Sequence, residues 1–325
     1  MCTAITFQTE YHYFGRNLDL EYHYNETVTI TPRQYPLKFR YASEIISHYA
    51  FIGIATIDRG YPLYYDATNE FGLSIAGLNF PHLAKYQPIS YQKNNIAPFE
   101  LIPWILSQCK SVEETELLLK MTNIADIPYS ENFPLTPLHW IVCDKRKTIV
   151  IEPTKYGLQI FDNHVGVLTN SPGFEFQMHN LSNYLNLTPM WPQNRFSRDI
   201  KLEPYSAGMG ALGLPGDLTS TSRFVRAAFT KLNSVCNPDE NSSISQFFQI
   251  LGSVAQQRGC VQLNGKPEIT LYSSCCNTEK GIYYYTTYEN RQITAVSLHG
   301  VDLNDVNLSD YPLRNQQSIK KENYI

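Results

Sequence analysis

Long apolar runs are missing from this chain of 325 residues. No stretch approaches the ~18 consecutive apolar residues of a transmembrane helix, and no charged and apolar leader stands before Cys2. Nothing is therefore expected to span a membrane or leave through one. Charge is scarce too: Asp, Glu, Lys and Arg make up 17%, the net charge is -4, and no basic block occurs. Nucleic acid and anionic membrane surfaces are poor partners for such a chain. The seven cysteines, at positions 2, 109, 143, 236, 260, 275 and 276, are odd in number and form no CxxC or Cys/His metal spacing. The eight histidines include no HExxH. A disulfide scaffold and a zinc hydrolase are both disfavoured, no metal or organic cofactor is expected, and a reducing cytoplasm is the expected location.

What is present is a globular composition. Hydrophobic residues reach 43%, and a chain of this length buries about three quarters of its unfolded surface without covalent staples. Tyrosine stands out at 23 residues. It fits strand and core filling, and equally a wide pocket for a bulky, partly apolar ligand, because the ring offers a flat apolar face and a polar tip.

Periodicity divides the chain into blocks. Residues 2–7, 12–17, 26–31, 51–57, 62–66 and 72–80 read as short strands separated by Gly and Pro, with no helix between them, which argues for antiparallel pairing. The period then becomes helical over 98–109 and 112–121, with Ser111 as N-cap of the second helix. A loop over 124–138, rich in Pro and aromatics, precedes strands at 139–144, 148–153, 158–162 and 165–170. Helical patterns follow at 174–185, 222–235 and 244–255. Strands at 269–275, 281–288 and 292–298 lead to a polar tail over 304–325. The irregular segment 186–216 suits an excursion onto another subunit. The order predicts an α+β fold, two mostly antiparallel sheets between helical layers, in one domain over 1–325.

Chemistry concentrates at the start. Removal of Met1, favoured by a small second residue, leaves Cys2 with a thiol and a free α-amine. These groups titrate near about 8.5 and 8, so the amine can take the thiol proton and return it to a leaving amine. Arg16 and Asp19 lie in the apolar segment YFGRNLDL. Three positions apart, they point to opposite faces of a regular strand, and both reach one site only if the strand ends or bulges near 15–17. There Arg16 would stabilise a thiolate and Asp19 would orient the ammonium. Asn79 and Asn170 each close an apolar strand just before a Pro-containing exit. Such amides serve turns, and they also supply the neutral donors of an oxyanion hole. Arg223 falls in the first turn of a helix, where a cation opposes the dipole, so an inward role gains weight. Arg226 reads as a solvated or interface residue.

In order, MCTAITF, FGRNLD, AGLNFP, VLTNSP and GLPGD…SRFVR resemble the choloylglycine hydrolase family of N-terminal-nucleophile hydrolases, with LHW at 138–140 and YYYTTYENRQI at 283–293 extending the likeness to about residue 300. The resemblance is closest to its bile salt hydrolases. It implies a four-layer αββα sandwich, Cys2 as nucleophile, Arg16, Asp19 and Arg223 as polar residues around it, and Asn79 and Asn170 as the oxyanion pair. Substrate contacts would fall on Leu18, Tyr24, Tyr65, Tyr129 and Phe133. The implied substrate is a conjugated bile salt and the implied assembly a homotetramer. Penicillin V acylases belong to the same family, but some of them carry Tyr where this chain has Asn79, which favours bile salts. A non-catalytic binder of steroid-like ligands is the reading from another class.

Overall fold

The computed structural model describes residues 1–131 and 133–323. Strands β1 (Cys2–Gln8) and β2 (His12–Leu20) open the chain, followed by β3 (Thr27–Thr31), β4 (Phe51–Asp58), β5 (Tyr61–Asn69) and β6 (Ser74–Asn79). The short β7 (Asn94–Ile96) precedes α1 (Leu101–Leu106) and α2 (Val112–Lys120), and pairs in parallel with β8 (Thr122–Ile124). Next come β9 (Leu138–Cys143), β10 (Thr148–Thr154), β11 (Gly157–Asp162) and β12 (Val167–Leu168). Helices α3 (Phe174–Asn180), α4 (Ser220–Asn233) and α5 (Glu240–Gly252) follow, then a minor hairpin of β13 (Gln262–Leu263) and β14 (Lys266–Pro267). The chain closes through β15 (Ile269–Asn277), β16 (Ile282–Thr287), β17 (Thr294–Ser297) and β18 (Ser309–Pro312).

Two large sheets result. One has six strands in the order β12-β1-β2-β15-β16-β17; the other has eight in the order β11-β10-β9-β6-β5-β4-β3-β18. Every pair within them is antiparallel. Alternation sorts the side chains. Ile52, Ile54, Ala76, Leu78, Ile141 and Val150 of the eight-stranded sheet meet Cys2, Ala4 and Phe14 between the sheets. Phe51, Ile75, Trp140, Val142 and Ile151, on the other face, pack against Leu101, Ile105 and Leu119 of α1 and α2. Helices α4 and α5 cover the six-stranded sheet through Phe224, Ala227, Phe247 and Leu251. This is the four-layer αββα sandwich that the sequence implies.

Ser111 caps α2 by accepting from Glu114 N at 3.3 Å, as its residue type predicts. Thr219 does the same for α4, three residues before the expected start at 222, accepting from Ser222 N at 3.4 Å. Such a cap is worth about 1 kcal/mol. The helices expected over 98–109 and 174–185 are shorter: the first begins as a 3-10 turn, Pro98–Glu100, and the second ends as one, Leu181–Tyr184. The strand expected over 165–170 contracts to Val167–Leu168 because Asn163 competes with the ladder, its amide bonding Val167 O at 3.0 Å and Gly166 N at 2.7 Å. Gly166 has φ +63°, and a Cβ there would lie 2.1 Å from Thr6 Oγ1, so this turn admits only glycine against β1.

The tail over 304–325 is more than polar: β18 pairs with β3 and covers what would be an open sheet edge. Its last two residues lie outside the described residues. Among the described residues of 186–216 there is no strand or α-helix, only a 3-10 turn at Met209–Ala211, and Met190, Trp191, Phe196 and Tyr205 are exposed. No helix of the described residues is long and apolar enough to cross a membrane.

Candidate active site

Cys2 begins β1 opposite Leu18 of β2. With Met1 in place it is 3% exposed, facing the space between the sheets together with Leu18. The hairpin register runs without interruption from Gln8↔His12 to Cys2↔Leu18. The end or bulge anticipated near 15–17 is therefore absent, and the irregularity sits in the partner strand β15, between Thr270 and Tyr272. Arg16 and Asp19 do take opposite faces. Arg16 reaches between the sheets, Nη1 donating to Tyr65 O at 3.0 Å and Gly77 O at 2.5 Å. Asp19 turns to the helical side and accepts from Thr270 Oγ1 at 2.6 Å. They flank one place because Cys2 is the terminal residue of its strand, and both faces of a sheet are within reach of a strand end.

Arg223 comes from α4 and is fully buried. Nε donates to Leu218 O at 3.1 Å, Nη1 to Cys2 O and to Thr3 Oγ1 at 2.7 Å, and Nη2 to Asn170 Oδ1 at 2.7 Å. A buried guanidinium is tolerated when its donors are used in this way. Asn170 Oδ1 also accepts from Cys2 N at 2.8 Å, while Nδ2 donates to Asn79 O at 2.7 Å. Two donors facing Oδ1 fix the orientation of the amide, since a flipped group would set NH2 against both. Asn170 is held in turn by Ser220 Oγ, which accepts from its N and donates to its O, each at 2.9 Å. Asn79 is exposed at the end of β6 and joins the group through its carbonyl.

The site is electrostatically tense. Burial works against the Arg16 charge, but Cys2, Tyr272, Asp66 and Asp19 outweigh it, so its pKa rises. Arg223 is lowered by burial in spite of Asp19, Cys2 and Glu268. Burial pushes the Asp19 carboxyl up, with the chain terminus, Arg223 and Arg16 pulling the other way. Arg16 Nη2 and Asp19 Oδ2 are buried without a hydrogen-bond partner. Among the described residues no cluster of three or more His, Cys, Asp or Glu could hold a metal ion.

The aromatic residues singled out in sequence gather elsewhere. Tyr65, Tyr129 and Phe133 line a cavity of about 160 Å³ with Phe99, Leu138 and Trp140. Tyr24 meets Phe133 with ring centroids 6.0 Å apart, and Phe133 meets Tyr129 edge-on at 5.9 Å. The cavity includes Gly77, whose carbonyl holds Arg16. Leu18 stays at the Cys2 end. Arg226, read as a solvated or interface residue, is half-buried, its Nη1 donating to Pro215 O at 3.0 Å.

Sequence reading missed several members. Asp66 is buried beside Arg16 and accepts from Tyr272 Oη at 2.8 Å and from Tyr283 Oη. His139, buried, bridges Glu152 Oε1 at 3.1 Å and Thr169 O at 2.9 Å next to Asn170. A carboxylate within the apolar strand YYDATN was the available signal for Asp66; Ser220 and Glu268 carry none.

The sandwich with a cysteine at residue 2, opening a central strand, is that of an N-terminal-nucleophile hydrolase. The chain belongs to the choloylglycine hydrolase family of linear amide C–N hydrolases, whose family model matches residues 2–311. It is 57% identical over 317 residues to a bile salt hydrolase/transferase of Lactiplantibacillus plantarum, covering 97% of this chain and 98% of that one. A bile salt hydrolase/transferase of Clostridium perfringens is 40% identical over 329 residues, covering 99% and 100%. The crystal structure of the C2A mutant of the conjugated bile acid hydrolase from Clostridium perfringens superposes with a TM-score of 0.92 at 40% identity, over 99% of this chain and 100% of that one. A penicillin V acylase from Agrobacterium tumefaciens shares the fold, with a TM-score of 0.71 at 16% identity over 95% and 90%.

Proposed function

We propose that the chain is a bile salt hydrolase, cleaving the amide between a bile acid and glycine or taurine through a thioester on Cys2 after Met1 is removed. The observation that carries this reading is the hydrogen bond from Cys2 N to Asn170 Oδ1 at 2.8 Å, which holds the nitrogen that becomes the α-amine against the Asn170 amide. The neutral amine takes the thiol proton, and the thiolate, facing Arg16 and Arg223, attacks the amide carbon. Asn170 Nδ2 has one hydrogen left after its bond to Asn79 O, and with Asn79 it receives the oxyanion. The ammonium protonates the departing amine, and water activated by the same amine frees the bile acid. Asp19 orients the ammonium. Leu18, Tyr24, Tyr65, Tyr129 and Phe133 contact the steroid. The names of the relatives support this substrate class, and their length matches that of this chain.

The same reading takes 1–325 as one domain acting in the cytoplasm as a homotetramer, with the exposed apolar residues of 186–216 as the assembly segment. The test is an intact-mass measurement for loss of Met1, followed by amine release from glycocholate, taurocholate and penicillin V. Faster release from either bile salt than from penicillin V is expected. Turnover of penicillin V alone would replace the substrate, and no release from a processed chain would end the reading.

A further inference from the structure

In the triplet LHW at 138–140, Leu138 and Trp140 line the aromatic cavity. Alternation turns His139, between them, to the other face of β9, where it is fully buried. There its Nε2 donates to Thr169 O at 2.9 Å, one residue before Asn170. Nδ1 lies 3.1 Å from Glu152 Oε1 of β10, which also accepts from Phe174 N at 2.9 Å. The ring stacks on Phe80, the residue after Asn79, with centroids 4.3 Å apart and planes inclined by 9°. In the β6–β9 ladder His139 stands opposite Leu78, the residue before Asn79. One imidazole therefore holds neighbours of both asparagines. Thr169 O can only accept, so Nε2 carries a hydrogen, and the Glu152 carboxylate fixes the other edge of the ring. Ser220 grips Asn170 from α4, while His139 steadies the preceding residue from the eight-stranded sheet.

We propose that His139, oriented by Glu152, is the positioning residue of the asparagine pair, fixing where Asn79 and Asn170 meet the negative charge that develops on the substrate oxygen. The inference rests on the oxyanion role given to that pair above. A buried imidazole and carboxylate are costly to keep for packing alone, because apolar side chains of the same volume often serve as well. Here the ring is spent on a backbone carbonyl beside one asparagine and an aromatic ring beside the other. The two asparagine segments also bond each other directly, Asn170 Nδ2 to Asn79 O at 2.7 Å and Ser171 Oγ to Pro81 O at 2.8 Å, so a shift of either one moves the pair. Oxyanion donors work by being fixed in advance, and a displacement of about 1 Å costs up to about 10² in rate.

The experiment uses the processed enzyme with His139→Phe, which keeps a ring against Phe80, and Glu152→Gln, which leaves the imidazole its Thr169 contact. In His139→Phe, kcat for glycocholate should fall about thirtyfold with KM within about twofold, and in Glu152→Gln about threefold. Placed in Asn170→Ala, His139→Phe should cost less than a further twofold, because the group it positions is gone. Independently of amide turnover, the aldehyde analogue of cholate adds reversibly to the Cys2 thiol and places an oxygen in the same donors. Its affinity should fall about thirtyfold in His139→Phe, while cholate itself binds unchanged. Full additivity with Asn170→Ala, a loss confined to KM, or an aldehyde affinity that ignores His139 would overturn the proposal. Should His139→Phe fail to fold, Glu152→Gln takes its place in each arm, judged by the same outcomes. An aldehyde affinity that depends on His139, in an enzyme that releases no amine from either bile salt or from penicillin V, would keep the positioning role and sink the hydrolase reading instead.

Discussion

The two sheets of this molecule solve opposite problems. The six-stranded sheet buries charge at its Cys2 end: Arg16, Asp19 and Arg223 are all inaccessible, each held by named oxygens or hydroxyls. The eight-stranded sheet buries aromatic surface around Tyr64, Tyr65, Tyr129 and Trp140, with few charges near the cavity. On the proposed reading, charge is kept where covalent chemistry needs a field, and apolar area where a large ligand needs a wall. The joint between them is narrow. Arg16 Nη1 donates to Tyr65 O and Gly77 O, so the charged end of one sheet is anchored on the backbone that walls the cavity of the other.

The strongest way to break this division is at its charged end. Cys2→Ser keeps shape and hydrogen bonding but replaces a thiolate by a hydroxyl that ionises far less readily. A loss of at least about a thousandfold in kcat is expected, measured by amine release, with bile salt binding retained. Wild-type rates would remove Cys2 from the chemistry. Next in size is Asn170→Ala, which removes the acceptor for Cys2 N and the candidate oxyanion donor together. A fall of about 10² to 10³ in kcat, with KM little changed, is the expectation. A change confined to KM would make Asn170 a binding residue only.

Much of this was legible from the chain alone. Cys2 announces itself by position, and Arg223 by standing where a helix dipole repels it. The sheet assignment followed from strand runs without intervening helices. Other features were hidden for a physical reason. The convergence of Arg16 and Asp19 depends on where β1 ends in space, not on any kink in β2, and a local pattern cannot show that. Glu268 meets the N-terminus across almost the whole chain, and Ser220 reaches back fifty residues to Asn170. No spacing rule connects such partners. The shortening of the strand at Val167–Leu168 came from a side chain, Asn163, out-competing the ladder.

A third test asks whether charge burial matters away from the site. His12 starts β2, at the end of the strand remote from Asp19, and donates or accepts at Thr278 Oγ1 over 3.1 Å. Burial lowers its pKa from 6.5 to about 4, with Asp144 and Glu279 opposing and Lys231 and Lys145 assisting. The depressed value means the unfolded chain takes the proton first. Stability from this group is complete above about pH 6.5 and is lost as pH falls through about 4. The loss is about 3 kcal/mol by linkage. His12→Gln should flatten this part of the acid limb in denaturant titrations between those pH values while leaving kcat at neutral pH within about twofold. An unchanged limb would mean the imidazole titrates normally.

The smallest effect sharpens the comparison most. Phe133 touches the rings of Tyr24 and Tyr129 and lines the cavity, whose described lining does not include Cys2, Arg16 or Asn170. Phe133→Ala removes apolar wall and two ring contacts, each worth about 0.5–1.5 kcal/mol. If the eight-stranded sheet only holds the steroid, that energy is present equally in the bound substrate and in the transition state. KM for glycocholate should then rise about three- to tenfold with kcat within about twofold of wild type. Asn170→Ala should show the opposite split. A fall in kcat for Phe133→Ala would mean that the aromatic wall presses the scissile amide onto Cys2. The joint through Arg16, Tyr65 and Gly77 would then carry force between the sheets as well as fix their spacing.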